Sequence, residues 1–155
     1  MDNFSFSKAE ENDVEAIHDL VSNVYDEFVA PNYIQEGNQE FYKYLEITAI
    51  SNRLQNNHFI ILCKDDDTVV GMIEMRNFNH VSMLFVDAVY QGRGIAKELL
   101  KRALEVCKEQ NSEVKEVSVH ASPNSVAIYE KLGFMRIKEE QVINGIRFTP
   151  MILKI

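Results

Sequence analysis

Met83-Leu84-Phe85-Val86-Asp87-Ala88-Val89-Tyr90-Gln91-Gly92-Arg93-Gly94-Ile95-Ala96-Lys97 is the stretch on which the fold turns. Its first residues are apolar and read as a strand; its later ones form a glycine-rich turn that opens an amphipathic helix. From the turn onward, Ile95, Leu99, Ala103 and Val106 recur at helical spacing, and Leu100, Leu104 and Cys107 widen the stripe. The first turn of such a helix carries backbone N–H groups without intrahelical partners, and the helix dipole adds partial positive charge there. Gly92 and Gly94 have no Cβ, so a ligand can approach those groups closely, and Arg93 adds a full charge between them. A strand that feeds a glycine-rich turn into a helix is a good seat for a phosphate or pyrophosphate. A bare strand–helix turn would not need the polar Gln91 and Arg93. Two nucleotide patterns do not fit: there is no Gly-Lys-Ser/Thr ending, and the third glycine of G-x-G-x-x-G is replaced by Lys97.

Upstream of this stretch the chain reads as a meander of strands. His58-Phe59-Ile60-Ile61-Leu62-Cys63 is a continuous apolar run bounded by polar residues, as expected of a buried strand. Asp65-Asp66-Asp67 turns it, Thr68–Arg76 returns, and Asn77–Asn79 leads into the strand ending at Val86. The three aspartates lack the spaced ligands and closing Glu of a calcium loop, so a solvated turn is expected. Nearer the N-terminus, Phe4–Ser7 alternates as a short strand. A helix follows, with Asn12 and Glu15 as a capping pair and Pro31 as its stop. After the loop Pro31–Gly37, a second helix is predicted over Asn38–Leu54. Its aromatics Phe41, Tyr42 and Tyr44 suit core or rim packing, or the lining of a substrate pocket.

Downstream, Val114–His120 alternates as a strand, and a strand–helix–strand unit of this length favours a parallel crossover. Ser122 and Pro123 are expected to start a short helix that Gly133 stops. Phe134–Val142 and Ile146–Lys154 are two strands joined by Asn144-Gly145, a strong hairpin signal. The order is β-α-α-β-β-β-α-β-α-β-β. It predicts an α/β (α+β) fold, a single mixed, mostly antiparallel twisted sheet of about seven strands with about four helices, in one domain over 1–155.

Composition narrows the function classes. Hydrophobic residues make up 46% and charged residues 26%, an ordinary globular balance. No apolar run approaches the roughly 18 residues of a membrane span, and Met1-Asp2-Asn3-Phe4-Ser5 has neither the basic start nor the apolar core of a leader. A cytoplasmic location is the expectation, with no membrane partner. The net charge of −8 argues against nucleic acid and is compatible with a cationic acceptor such as an amine. Cys63 and Cys107 are expected to pack as small hydrophobes, His18 to lie at the surface, and no metal site is expected.

Gln91-x-x-Gly94-x-Ala96 matches the Q/R-x-x-G-x-G/A pattern of the GNAT superfamily, the acetyl-CoA-dependent N-acetyltransferases. Tyr129-Glu130-Lys131-Leu132-Gly133-Phe134 is similar to the same family's Y-E-K-L-G-F segment, and the order of elements resembles the GNAT order from end to end. The resemblance implies acetyl transfer from acetyl-CoA to a primary amine of a small molecule or peptide, by direct attack in a ternary complex. It implies that the N–H groups of Gln91, Gly92, Arg93, Gly94, Ile95 and Ala96 hold the pyrophosphate. The backbone of Leu84, Phe85 and Val86 would pair with the pantetheine arm, and an N–H near Val86 would polarise the thioester carbonyl. Tyr129 stands where the family places its general acid toward sulfur. Many members carry an Asn seven residues before that Tyr; here that position is Ser122, with Asn124 close by as a second candidate for the cofactor contact. For the base, His80 lies where some members place a glutamate, Glu74 on the neighbouring strand competes with it, and a water-relayed base is the third option. His80, Ser82, Leu84 and Val86 are expected on one strand face. Ala88 replaces a proline frequent in the family's loop, which should loosen the turn. The alternative is a non-catalytic acyl-CoA-binding regulatory module on the same scaffold. Exposed strand edges in the final hairpin are compatible with a homodimer.

Overall fold

The computed structural model describes residues 3–155; Met1 and Asp2, part of the N-terminal stretch read above, lie outside them. Strand β1 (Phe4–Lys8) is followed by helices α1 (Val14–Phe28), α2 (Gln35–Tyr44) and α3 (Ile47–Leu54). A meander of β2 (His58–Asp65), β3 (Thr68–Arg76) and β4 (His80–Val86) leads into α4 (Ile95–Gln110) and β5 (Glu116–Ala121). The short helix α5 (Val126–Lys131) precedes β6 (Met135–Arg136), β7 (Gln141–Ile143) and β8 (Ile146–Lys154). The sheet runs β1-β2-β3-β4-β5-β8-β6, with β7 paired to β8. Among the described residues only the β4–β5 pair is parallel, as the strand–helix–strand spacing predicts.

Both faces of the sheet are covered. On one face Ile95, Leu99, Ala103 and Cys107 of α4 pack over Ile61, Cys63 and Ile73. On the other, Val14, Ile17 and Val21 of α1 pack with Leu45 and Ile50 over Ile60, Leu62 and Met72. Neighbouring residues of β2 thus enter opposite layers, which is why its sequence is apolar without alternation. Both cysteines are free and buried in the α4 layer.

Several boundaries differ from the sequence expectation. The predicted helix over Asn38–Leu54 is two helices, because Glu46 is extended (φ −56°, ψ 141°). The break lets Leu45 and Ile50 enter the same layer and brings Arg53 back over the end of α2, where its Nη1 donates to the Tyr44 carbonyl at 2.6 Å. The N-terminal cap lies two residues before the predicted Asn12–Glu15 pair: the Glu10 N–H donates to the Asp13 carboxylate at 2.8 Å. Ser122 and Pro123 do not open α5. The Ser125 N–H bonds the Ser122 carbonyl at 2.8 Å in a turn, and the helix starts at Val126. The predicted strand Phe134–Val142 is divided into β6 and β7. Asn144 and Gly145 form the expected turn, both with positive φ (52° and 78°).

One irregularity reorients the strand at the centre. Glu74 pairs with Met83, but Met75 pairs with Val81, so Ser82 is an extra residue in β4. The bulge overturns the expected alternation. Val81, Leu84 and Val86 enter the α4 layer, whereas Met83 and Phe85 face the α1 side. His80, one residue before Val81, belongs with Met83 and Phe85 and not with Leu84 and Val86.

Candidate active site

β4 and β5 pair only at His80–Ser118 and Val81–Val119, then separate. Beyond that point β4 keeps β3 on one edge and loses its neighbour on the other. The Asp87 N–H bonds the Val70 carbonyl of β3 at 2.8 Å. Strand alternation then turns the N–H and C=O of Val86 and Leu84 toward the open edge and those of Phe85 toward β3. The Gln91 side chain takes one of these open groups, donating from Nε2 to the Val86 carbonyl at 3.0 Å. Of the three residues expected to offer backbone groups, Leu84 and Val86 do so; Phe85 contributes its ring.

At the end of β4 a turn leads to α4. The Asp87 carboxylate accepts from the Val89 N–H at 2.9 Å, and the Tyr90 hydroxyl donates to Asp65 at 2.6 Å. These bonds tie down the turn that Ala88, in place of proline, was expected to loosen. Gly92 and Gly94 both have φ +81°, and a Cβ built on either meets nothing within 4 Å. Gly94 is the N-cap of α4, and no side chain caps that helix start. The seat for an anion is therefore open, and its backbone conformation suits glycine. The Gln91 N–H is turned back to the Ala88 carbonyl at 3.4 Å, so the seat begins at Gly92. The Ile95 side chain is buried in the α4 layer, which leaves only its backbone at the seat.

Two clefts meet beside the gap in the sheet. One, of about 450 Å³, runs from Gly92 and Ala96 past Val86 to Asn124 and Ile128. The other, of about 390 Å³, lies between α2 and the β4–β5 junction and is lined by Tyr25, Tyr33, Phe41, Tyr44, Arg76 and His80, among others. Leu84, Phe85, Ser125 and Tyr129 line both. Tyr129 is 6% exposed, and its ring packs edge-on against Phe134 at 5.3 Å. Its hydroxyl has no hydrogen-bond partner among the described residues. Burial pushes the phenol's pKa well up, so it holds its proton.

The other predicted residues fall in different places. Asn124 lines the first cleft, but its amide nitrogen donates to the Phe28 carbonyl at the end of α1, at 2.7 Å. Ser122 lines the second cleft and not the first; its hydroxyl bonds Ser125 Oγ at 2.6 Å. Ser125 itself was not singled out, although it stands one helical turn before Tyr129 and so shares its face. His80 lines the second cleft and is 6% exposed. Its Nδ1 lies 2.7 Å from Ser118 Oγ, and its ring meets His120 edge-on at 4.8 Å. Burial, then the charge of Arg76, pushes its pKa down to about 3, so the imidazole is neutral at physiological pH.

Glu74 is not in either cleft. It is completely buried beneath α3 and bonded to Arg53 Nε at 2.7 Å, Arg53 Nη2 at 3.1 Å and His58 Nδ1 at 2.6 Å. Burial pushes its pKa up, but the bonds from His58 and Arg53 outweigh that and hold it below the ordinary value. Its lone pairs are committed to this network, a poor arrangement for taking a proton from a substrate. Neither Arg53 nor His58 stood out in the sequence, since nothing local marks a pair that only the fold brings together. No cluster of His, Cys, Asp or Glu suited to a metal occurs among the described residues. None of their helices is long and apolar enough to cross a membrane.

This architecture has known counterparts. A family model described as an acetyltransferase (GNAT) domain matches residues 29–155. Over 77 residues the chain is 30% identical to an uncharacterised N-acetyltransferase of Methanocaldococcus jannaschii, covering 49% of this chain and 33% of that relative. Over 62 residues it is 40% identical to the N-alpha-acetyltransferase MAK3 of Arabidopsis thaliana, covering 38% of this chain and 32% of that one. The chain thus spans about a third of the length of these curated relatives. Among solved structures, a GCN5-related N-acetyltransferase from Rhodopseudomonas palustris superposes with a TM-score of 0.82 at 18% identity, covering 100% of this chain and 98% of that one. The PaiA N-acetyltransferase of Thermoplasma acidophilum, solved with coenzyme A, gives 0.81 at 18% identity, covering 98% of this chain and 99% of that one. At these identities the structures speak for the fold. The family model spans most of the sequence, and on that ground the chain belongs to the GNAT acetyltransferase family.

Proposed function

We propose that the protein is an N-acetyltransferase that moves an acetyl group from acetyl-CoA to a primary amine within a ternary complex. The observation that carries this reading is the meeting of the two clefts at Tyr129 and the free edge of β4. The cleft that begins at the open helix start suits the donor; the aromatic-walled one suits the acceptor. The N–H groups from Gly92 to Ala96 hold the pyrophosphate, and the free edge at Leu84 and Val86 takes the amide groups of the pantetheine arm. That the PaiA structure contains coenzyme A agrees with this assignment. A soluble chain acting in the cytoplasm, with residues 1–155 as one domain, fits the same reading.

In the reaction the amine nitrogen attacks the thioester carbonyl carbon, and the C–S bond breaks. The Val86 N–H donates to the carbonyl oxygen as negative charge gathers there. The Tyr129 hydroxyl, protonated and unbonded to protein, donates to the departing sulfur. The proton the amine loses leaves through His80 or a water in the second cleft, and a proton from solvent returns to the Tyr129 phenolate, giving an amide, a free thiol and the phenol restored. His80 is neutral and can accept a hydrogen bond, but a pKa near 3 makes it a weak base by itself, so a water relay carries the proton outward.

The test is thiol release from acetyl-CoA against a panel of amino acids, peptides and polyamines. Turnover above background hydrolysis is expected with at least one amine. Acetyl-CoA binding by calorimetry without transfer to any of them would instead identify a regulatory binding module. Pairing of two copies along the exposed β7 edge, where Val142 and Ile143 face solvent, is a further proposal that sedimentation at two concentrations decides.

A further inference from the structure

Arg76 ends β3 directly opposite His80 of β4 and lines the acceptor cleft. Its guanidinium has neither an ion pair nor a hydrogen bond among the described residues. The nearest buried carboxylate, that of Glu74 two residues earlier on the same strand face, is already taken by Arg53 and His58. The acidic side chain that does line the cleft, Glu40, lies 3.5 Å from Lys43. Arg76 therefore lines the cleft from an exposed strand end without an ion-pair partner, and after burial its charge is the next cause that lowers the basicity of both His80 and His120. A second observation points the same way. The Ser82 hydroxyl, at the β4 bulge, lines this cleft and is buried without a hydrogen-bond partner. The Tyr44 phenol is the group beside it, but the two make no hydrogen bond of accepted geometry. A buried donor without a partner is unfavourable unless a ligand completes it.

The walls between Arg76 and Tyr129 are aromatic. Tyr25 and Phe41 are stacked at 3.9 Å, and the Tyr25 and Tyr33 hydroxyls are occupied by Asn38 and by the Arg147 carbonyl. The cleft thus has a cationic end, an apolar middle and a reacting end. That sequence of chemistries does not suit a polycation, for which Arg76 is repulsive and Glu40, already beside Lys43, is the one carboxylate among the cleft's described lining residues. It runs opposite to the protein's overall net charge of −8.

From this geometry we infer that the acceptor is a small amine whose skeleton also carries a carboxylate, held by the Arg76 guanidinium with its amine directed at Tyr129. The inference rests on the acetyltransferase reading, and it names the acceptor class. A guanidinium suits this task because its planar fork meets both carboxylate oxygens.

The experiment compares amines of one skeleton with and without the carboxylate: lysine with cadaverine, 6-aminohexanoate with pentylamine, 4-(aminomethyl)benzoate with benzylamine, and spermidine as a polycation. The carboxylated member of at least one pair is expected to have a kcat/KM about tenfold or more above its partner. In Arg76→Ala that ratio falls to within about twofold of unity, and Arg76→Lys lies between. Equal ratios in the wild type, a preference for spermidine, or an equal loss in both members of a pair in Arg76→Ala would each overturn the inference. Wild-type ratios still decide if the alanine variant does not fold. Where no amine releases thiol, the acetyltransferase reading has failed, and calorimetry in the presence of CoA decides this one separately. Binding of a carboxylated amine that is lost in Arg76→Ala and weakened in Arg76→Lys upholds it; no binding by any of the three, or binding unchanged in both variants, overturns it.

Discussion

Tyr129 and His80 occupy one cleft, and burial moves their proton affinities in opposite directions for the same reason: it penalises whichever form is charged. The phenol is kept protonated and the imidazole neutral, a donor and an acceptor ready at the same pH. Replacing Tyr129 by Phe removes only the hydroxyl from a site where it bonds no protein atom. Turnover should fall about 100-fold with the acetyl-CoA KM little changed; a loss confined to KM would show that the hydroxyl binds and does not donate. His80 also makes a statement about stability. Its folded pKa lies below its unfolded value of 6.5, so the unfolded chain takes up the proton first. Its contribution is complete above about pH 6.5 and is lost as pH falls toward 3, at up to about 1.4 kcal/mol per pH unit. Urea unfolding between pH 7 and pH 5 should show this slope, reduced in His80→Phe. An unchanged slope would show that the ring is already solvated.

At the level of single elements, α4 and α3 are held by different physics. The start of α4 depends on a residue that tolerates φ +81°, and a side chain at Gly94 would both strain the backbone and stand in the phosphate seat. Gly94→Val is expected to raise the acetyl-CoA KM at least about tenfold and to cost about 1–2 kcal/mol of stability. Steady-state kinetics with the donor varied would reveal it, and an unaltered KM would move the pyrophosphate elsewhere. Helix α3 is tied to the sheet by Arg53, which bonds Glu74 and the end of α2 and stacks over the Tyr44 ring at 3.6 Å. Removing Arg53 leaves the buried Glu74 carboxylate with His58 as its remaining partner, so Arg53→Met should cost about 3 kcal/mol. The double variant Arg53→Met with Glu74→Met should recover part of that loss in thermal unfolding. Additive losses would show that the two side chains act independently.

For the molecule as a whole, the cleft between α2 and the β4–β5 junction is assembled from parts distant in sequence. Gly37 of α2 lies against the Asn144–Gly145 turn so closely that a Cβ there would stand 2.3 Å from the Gly145 carbonyl oxygen. That contact, with the Tyr33 bond to Arg147, sets the distance between α2 and the final hairpin and so the width of the cleft. Gly37→Ala should push them apart, lowering stability by about 1–3 kcal/mol and raising the acceptor KM more than the donor KM. Kinetics with each substrate varied in turn would show the asymmetry, and equal changes would mean that the packing serves stability alone.

What the sequence determined by itself is local. The strand ending at Val86, the glycine turn and the amphipathic stripe of α4 are patterns within about twenty residues, where period and φ preference suffice. The same holds for Asn144-Gly145 and for the stop at Gly133. What only the tertiary structure decided is long-range. The bulge at Ser82 turned His80 away from the face of Leu84 and Val86, because register is set by the partner strand and not by the strand's own residues. Glu74 reads from sequence as an available carboxylate, and folding commits it to Arg53 and His58, which stand 21 and 16 positions away. Arg76, an unremarked strand-end residue, comes to line the cleft beside His80 for the same reason. Burial and pairing follow from contacts between distant residues, and a linear pattern records only what each residue prefers, not what the fold has already given it.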